Sequence, residues 1–307
     1  MFTVSLNPSY YCNFRCYFCY LTKNELSDKK TLSIEKIDLL FNEIMEHGIK
    51  IDTVDIYGGE PFLLGHEYIK EIRHVCNKHK CNTINIITNM SIYDENIIND
   101  EDLSLFISYD FDERQVNEHV WLNMLKIPRN YGILTLGLPN IFKKNHIELI
   151  TKINLLKKCS SWEIKPYSTN QDNQLMVPND DYGNFVRKII EYENKNFEFI
   201  NEYDLQNVIN GRGNSYSDDH IYIAPDGKFK VLEFDDKNNE YFLSLDSFDD
   251  YLQWQQNEKY KVRSNVHCGS CEYLGKCLSE HLRVVDNTKD DCNGFYKLIN
   301  WYKKNDD

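Results

Sequence analysis

Through the first two thirds of the chain, short runs of β-branched and apolar residues alternate with segments whose apolar positions repeat at helical spacing. This is the rhythm of βα units around a parallel sheet. It predicts six strands, at Thr3 to Leu6, Thr53 to Tyr57, Ile84 to Thr88, Leu105 to Tyr109, Ile133 to Leu138 and Glu163 to Tyr167. Between the first two, Ser33 is placed as an N-cap, Ile37, Leu40, Phe41 and Ile44 follow at helical spacing, and Gly48 supplies a stop. The next helix sets Ile69, Ile72 and Cys76 at i, i+3 and i+7, which makes Cys76 a core residue. The pattern changes after about Asn170, where a helix around Phe185, Val186, Ile189 and Ile190 runs into a polar stretch from Asn210 to His220. Beyond it, Ile221 to Val231 reads as two short strands about the turn Ala224-Pro225-Asp226-Gly227. The remainder is polar, Cys-bearing and weakly periodic, the character of a small domain held by a metal.

The length of 307 residues fits one large domain with a small companion, and 41% hydrophobic against 27% charged residues places the chain among globular proteins. Forty-eight acidic against 35 basic residues give a net charge of −13, which repels phosphate backbones and anionic bilayers. No nucleic-acid or membrane partner is expected. The amino terminus shows no basic stretch followed by an apolar one, and no run approaches 18 apolar residues, so the expected location is cytoplasmic. In that compartment ten cysteines speak of metal binding or chemistry rather than of disulfides.

Just after the first strand stands Cys12-Asn-Phe-Arg-Cys16-Tyr-Phe-Cys19. Three thiolates on one loop hold three corners of a cubane iron–sulfur cluster and leave the fourth iron open to a substrate or cofactor. By itself such a loop also fits a zinc site or free thiols. With the aromatic Phe18 before the third cysteine, however, it resembles the CxxxCxΦC motif of the radical S-adenosylmethionine enzymes. Gly58-Gly59-Glu60-Pro61 is similar to their GGEP segment, whose role there is contact with the amino group of S-adenosylmethionine. Thr88-Asn89 and Ser108-Tyr-Asp110 fall at the strand ends where the family places polar contacts to the ribose and carboxylate, although the same residue types also end strands and cap helices.

The resemblance spans roughly residues 3 to 170. It implies an α/β fold, with a partial (β/α)6 TIM-like barrel over residues 1–200 and a small C-terminal Cys-rich α+β domain over residues 201–307. It further implies a 4Fe–4S cluster on Cys12, Cys16 and Cys19, with S-adenosylmethionine as cofactor held by Phe18, Gly58, Gly59, Glu60, Pro61, Thr88, Asn89, Ser108 and Asp110. The implied reaction is reductive cleavage to a 5′-deoxyadenosyl radical that takes a hydrogen from substrate, fed by an electron donor such as flavodoxin or ferredoxin. No general acid or base is identified.

Near the C-terminus, Cys268-Gly-Ser-Cys271 is followed by Cys277 and Cys292. Four thiols close a site, for zinc or for a cluster. Beside the first motif the segment resembles SPASM and twitch extensions, which implies a second, auxiliary 4Fe–4S cluster on Cys268, Cys271, Cys277 and Cys292. The family's further cysteines, for another auxiliary cluster, fall here at His281 and Leu232. That other site has therefore lost its thiolates, and His281 reads as a surface or packing residue.

Relatives with such extensions mostly act on ribosomally made peptides, which implies a peptide substrate and, with the first strand beginning at Thr3, leader binding by another surface or by a separate leader-binding protein. Cys76 reads as core, while Cys81 and Cys159 precede strands and so lie at the far end of the barrel from the chemistry. Without a thiol donor, oxidation or cross-linking is favoured over epimerisation. A small-molecule dehydrogenase acting on a sugar or aminoglycoside and a non-catalytic iron–sulfur electron carrier are the alternatives.

Overall fold

The computed structural model describes residues 1–114, 117–167, 175, 177–216, 218–233, 240–279, 288 and 292–305. Strands β1 (Thr3–Leu6), β2 (Thr53–Ile56), β3 (Thr83–Thr88), β4 (Ser104–Ser108), β5 (Tyr131–Gly137), β6 (Cys159–Pro166) and β7 (Glu198–Phe199) stand side by side in chain order. All are parallel. This one-directional order, with a helical return between most neighbours, is how a (β/α) barrel wall grows. All six predicted strands are present. β5 and β6 begin earlier than predicted, at Tyr131 and Cys159, because Tyr131, Cys159 and Trp162 are buried there and extend the wall.

The sheet does not end at β1. β8 (His220–Ile223) pairs with β1 in parallel, and β9 (Phe229–Val231) and β10 (Leu243–Leu245) continue it antiparallel, so the predicted hairpin extends the same ten-stranded sheet. Gly227 closes its turn at a φ of 79°, a conformation open to glycine.

One face of the wall is covered by helices. The helix Ile34–Glu46 is capped by the Ser33 side chain and buries Ile37, Leu40, Phe41 and Ile44, as the spacing predicts. The helix His66–Lys78 buries Ile69, Ile72, Val75 and Cys76. Val4, Leu6, Val54, Ile56, Ile84 and Ile86, the alternate strand positions, are buried against this layer. The intervening positions point the other way and are mostly half-buried, and many are polar: Asp55 and Tyr57, Asn85, Ser108, Glu163 and Lys165, His220 and Tyr222. Register sets Ser5, Asp55, Asn85 and Tyr222 at one level of this inner face.

Asp55 on β2 and the Glu163–Lys165 pair on β6 lie four strands apart, yet they act on one another electrostatically, so the wall curves round a shared lumen. A half-buried polar lining is what a lumen open to solvent requires.

The C-terminal helix Tyr296–Asn305 is fixed to the barrel's helices. Lys297 pairs with Asp180 at 2.7 Å, Arg187 lies over the Trp301 ring and Gln206 donates to the Tyr302 hydroxyl at 3.1 Å. No helix of the described residues is long and apolar enough to cross a membrane.

Candidate active site and metal centres

The loop bearing the first three cysteines leaves β1 and folds over the carboxyl end of β2. Gly59 and Glu60 donate their backbone N–H groups to the carbonyls of Ser9 and Tyr11, at 3.0 and 2.9 Å. This docking explains the two glycines. A Cβ on Gly58 would stand 2.6 Å from the Ser9 carbonyl oxygen. One on Gly59 would stand 2.5 Å from the Tyr11 carbonyl carbon and closer still to the carbonyl oxygens of Tyr10 and Tyr11. The close approach the glycines permit is thus to the backbone of the cysteine loop itself, immediately before Cys12.

Glu60 is 2% exposed and accepts three hydrogen bonds, from Phe62 N at 3.0 Å, Thr88 Oγ1 at 2.6 Å and Asn89 N at 2.7 Å. Its carboxylate therefore ties the end of β2 to the end of β3, bringing Thr88 and Asn89 into the site through it. Burial pushes its pKa up, and those three donors pull it back. Asn89 reaches on to the loop, donating to Asn13 Oδ1 at 3.1 Å and lying 3.8 Å from Cys12 Sγ. Pro61 begins the short turn Pro61–Leu64, and Ser108 stands on the inner face at the end of β4.

Asp110 is fully buried just past β4, accepting from Leu136 N at 2.5 Å and from Arg114 Nε. Burial raises its pKa against the pull of that guanidinium. Arg114, which the sequence reading missed, lies 5.4 Å over the Phe18 ring, and its charge is felt by Cys12, Cys16 and Cys19. Its only sequence signal is the spacing of four from Asp110. The residues following the two polar strand ends, Met90 and Phe111, are both buried with left-handed φ of 55° and 54°. Each costs roughly 1–2 kcal/mol, strain of the kind found where a chain is turned sharply to aim its neighbours.

Burial raises the pKa of all three thiols, Cys19 to about 11, with the neighbouring cysteines adding to the rise at Cys12 and Cys19. Three soft donors that close together suit an iron–sulfur cluster, whose ligation removes their protons. Among the described residues no three His, Cys, Asp or Glu side chains gather as for a single metal ion. A cubane instead takes each thiolate at its own corner.

The second set of cysteines also comes together. Cys268, Cys271, Cys277 and Cys292 line one cavity with His267 and Ser215. A Cβ on Gly294 would stand 2.8 Å from Cys277 Sγ and 3.6 Å from Cys292 Sγ, so glycine makes room for the two sulfurs. His281 lies outside the described residues, and Leu232 follows β9 without a thiol to offer. Cys76 is fully buried, and Cys81 and Cys159 stand at the amino ends of β3 and β6, away from both centres.

A three-cysteine loop and polar strand ends thus gather at the carboxyl mouth of a partial barrel. Residues 6–117, about a third of the chain, match the family model described as Radical SAM superfamily. No curated protein sequence matches it significantly.

Among solved structures, native anSMEcpe with bound AdoMet is similar at a TM-score of 0.69 and 15% identity, over 99% of this chain and 97% of that one. The anSMEcpe structure with bound AdoMet and the Cp18Cys peptide gives a TM-score of 0.70 at the same identity and coverage. Streptococcus suis SuiB bound to precursor peptide SuiA is similar at a TM-score of 0.65 and 16% identity, over 90% of this chain and 70% of that one. At these identities the likeness establishes a shared fold.

Proposed function

We propose that the chain binds a 4Fe–4S cluster on Cys12, Cys16 and Cys19 and S-adenosylmethionine beside it, and takes a hydrogen from a ribosomally made peptide, oxidising or cross-linking it. The observation that carries this is the cysteine loop docked on the Gly58-Gly59-Glu60-Pro61 turn, with Arg114 as the cation whose field reaches all three thiols. When bound, the cluster supplies the electron that splits the sulfonium. The chain's part is to hold and to exclude.

In this reading the Gly58–Pro61 turn faces the cofactor's amino group. Arg114, with Nε spent on Asp110, turns its remaining N–H groups to the carboxylate, a pairing its planar fork suits. Thr88, Asn89, Ser108 and Asp110 line the strand ends around the cofactor, and Phe18 covers the guanidinium. The second cysteine cavity holds an auxiliary cluster within residues 201–307, on the chain that also extends the barrel sheet, and relays an electron or fastens that region. A flavodoxin or ferredoxin supplies electrons.

The polar inner-face residues Asp55, Asn85, Glu163 and Lys165 support a substrate group that forms hydrogen bonds. That SuiB and anSMEcpe have been solved with bound peptides supports the peptide class.

Arg114→Lys keeps the charge beside Asp110 but loses the fork. It should raise the Kd for S-adenosylmethionine by about tenfold, the loss of one charge-assisted hydrogen bond, with iron content unchanged. Calorimetry and iron analysis on the anaerobic protein read the two.

The function is tested by anaerobic incubation with S-adenosylmethionine, a reductant and any short peptide encoded beside the gene. The expected result is 5′-deoxyadenosine together with a peptide lighter by paired hydrogens. Formation of 5′-deoxyadenosine that responds to a sugar substrate and to no such peptide would move the reading to a small-molecule dehydrogenase.

A further inference from the structure

His267 precedes the first cysteine of the C-terminal set, and it lines the same cavity as all four. Its backbone is held. The amide donates to Asn265 Oδ1 at 3.0 Å, and the carbonyl accepts from the Ser270 hydroxyl at 3.2 Å. The ring stands edge-on to Tyr296 at 6.0 Å, which fixes its orientation. Its Nε2 is nevertheless buried without a hydrogen-bond partner among the described residues.

A buried, unpaired polar nitrogen is a loss of roughly 1–3 kcal/mol that native interiors rarely leave standing. Because His267 lines the cavity of the four cysteines, that cavity is where a partner would meet it. Four cysteines already supply the full ligand count, so a fifth protein ligand is not needed, whereas a cluster presents sulfur acceptors that N–H groups commonly meet.

We infer that His267 Nε2–H donates a hydrogen bond to a sulfur of the auxiliary 4Fe–4S cluster and thereby raises its reduction potential. This rests on the reading of the four cysteines as a cluster site. A donor facing the sulfur stabilises the more negative, reduced state, so removing it lowers the potential. His267 is a positioning and tuning residue, outside the ligand set. It stands in the only part of the chain where the sequence pairs four thiols with an adjacent ring donor.

The test uses the full chain, anaerobically reconstituted with iron and sulfide, as wild type, His267→Phe and His267→Gln. Potentiometry followed by electron paramagnetic resonance reads the two midpoints separately. In His267→Phe, iron should stay at about eight per chain for two cubanes. One midpoint should fall by about 59 mV, a tenfold change in a one-electron equilibrium, while the other does not move. His267→Gln, whose amide N–H restores a donor, should recover part of the fall. Two unmoved midpoints would overturn the proposal, and so would a loss of four irons, which would make His267 a ligand. Zinc at the four cysteines with a single cluster signal in the wild type would instead overturn the cluster reading on which the proposal stands.

Discussion

Cys16→Ala abolishes 5′-deoxyadenosine formation and lowers iron from about eight to about four per chain. With one of three thiolates gone, an iron of the first cubane keeps no protein ligand. The neighbouring Cys12 and Cys19 cannot replace it, being already committed to their own corners. Among the described residues nearby, Arg114 is a cation and the Glu60 and Asp110 carboxylates are already engaged by donors. The four irons expected to remain are those of the cluster proposed for the C-terminal cavity, which separate residues line. Iron analysis and chromatographic assay of the nucleoside check both parts. A variant that cleaves S-adenosylmethionine at the wild-type rate would contradict the ligand assignment.

Gly59→Ala should be nearly as damaging, although it touches no ligand. The three nearest atoms its Cβ would meet are all backbone of Tyr10 or Tyr11, so relief requires the whole cysteine loop to lift from β2. Overpacking against backbone costs on the order of 3 kcal/mol, and the loop's displacement moves Cys12. Loss of iron from the first centre, with the second retained, should accompany a lowered Tm. Gly48→Ala is the control. Its φ of 75° strains any side chain, but nothing lies within 4 Å, so it should cost only about 1 kcal/mol and no iron. Equal effects of the two substitutions would show that loop docking is not what Gly59 provides.

Much of this was legible in the sequence because the signals are local. Alternating apolar residues marked the six barrel strands, Ser33 marked its helix start, and the cysteine spacings marked both sets of thiols. What stayed hidden depends on partners distant in the chain. β7, with two residues, and β10, with three, are too short to carry a period. The pairing of β8 with β1 joins residues more than 200 apart, and no local pattern encodes it. The same holds at the site. Glu60 could be found from its motif, but its three donors could not, because two of them sit at the end of a different strand. Asp55 and Lys165 were plain polar positions in their strands, and only the curvature of the wall sets them into one lumen.

If Cys12, Cys16 and Cys19, with the mouth of the barrel, hold the cluster and cofactor as proposed, the chain cleaves S-adenosylmethionine reductively without any substrate. Anaerobically reconstituted wild-type protein, given dithionite and S-adenosylmethionine without any substrate, should form 5′-deoxyadenosine and methionine in equal amounts, slowly but well above a reaction lacking protein. An iron-replete protein that binds S-adenosylmethionine and forms neither product would contradict it.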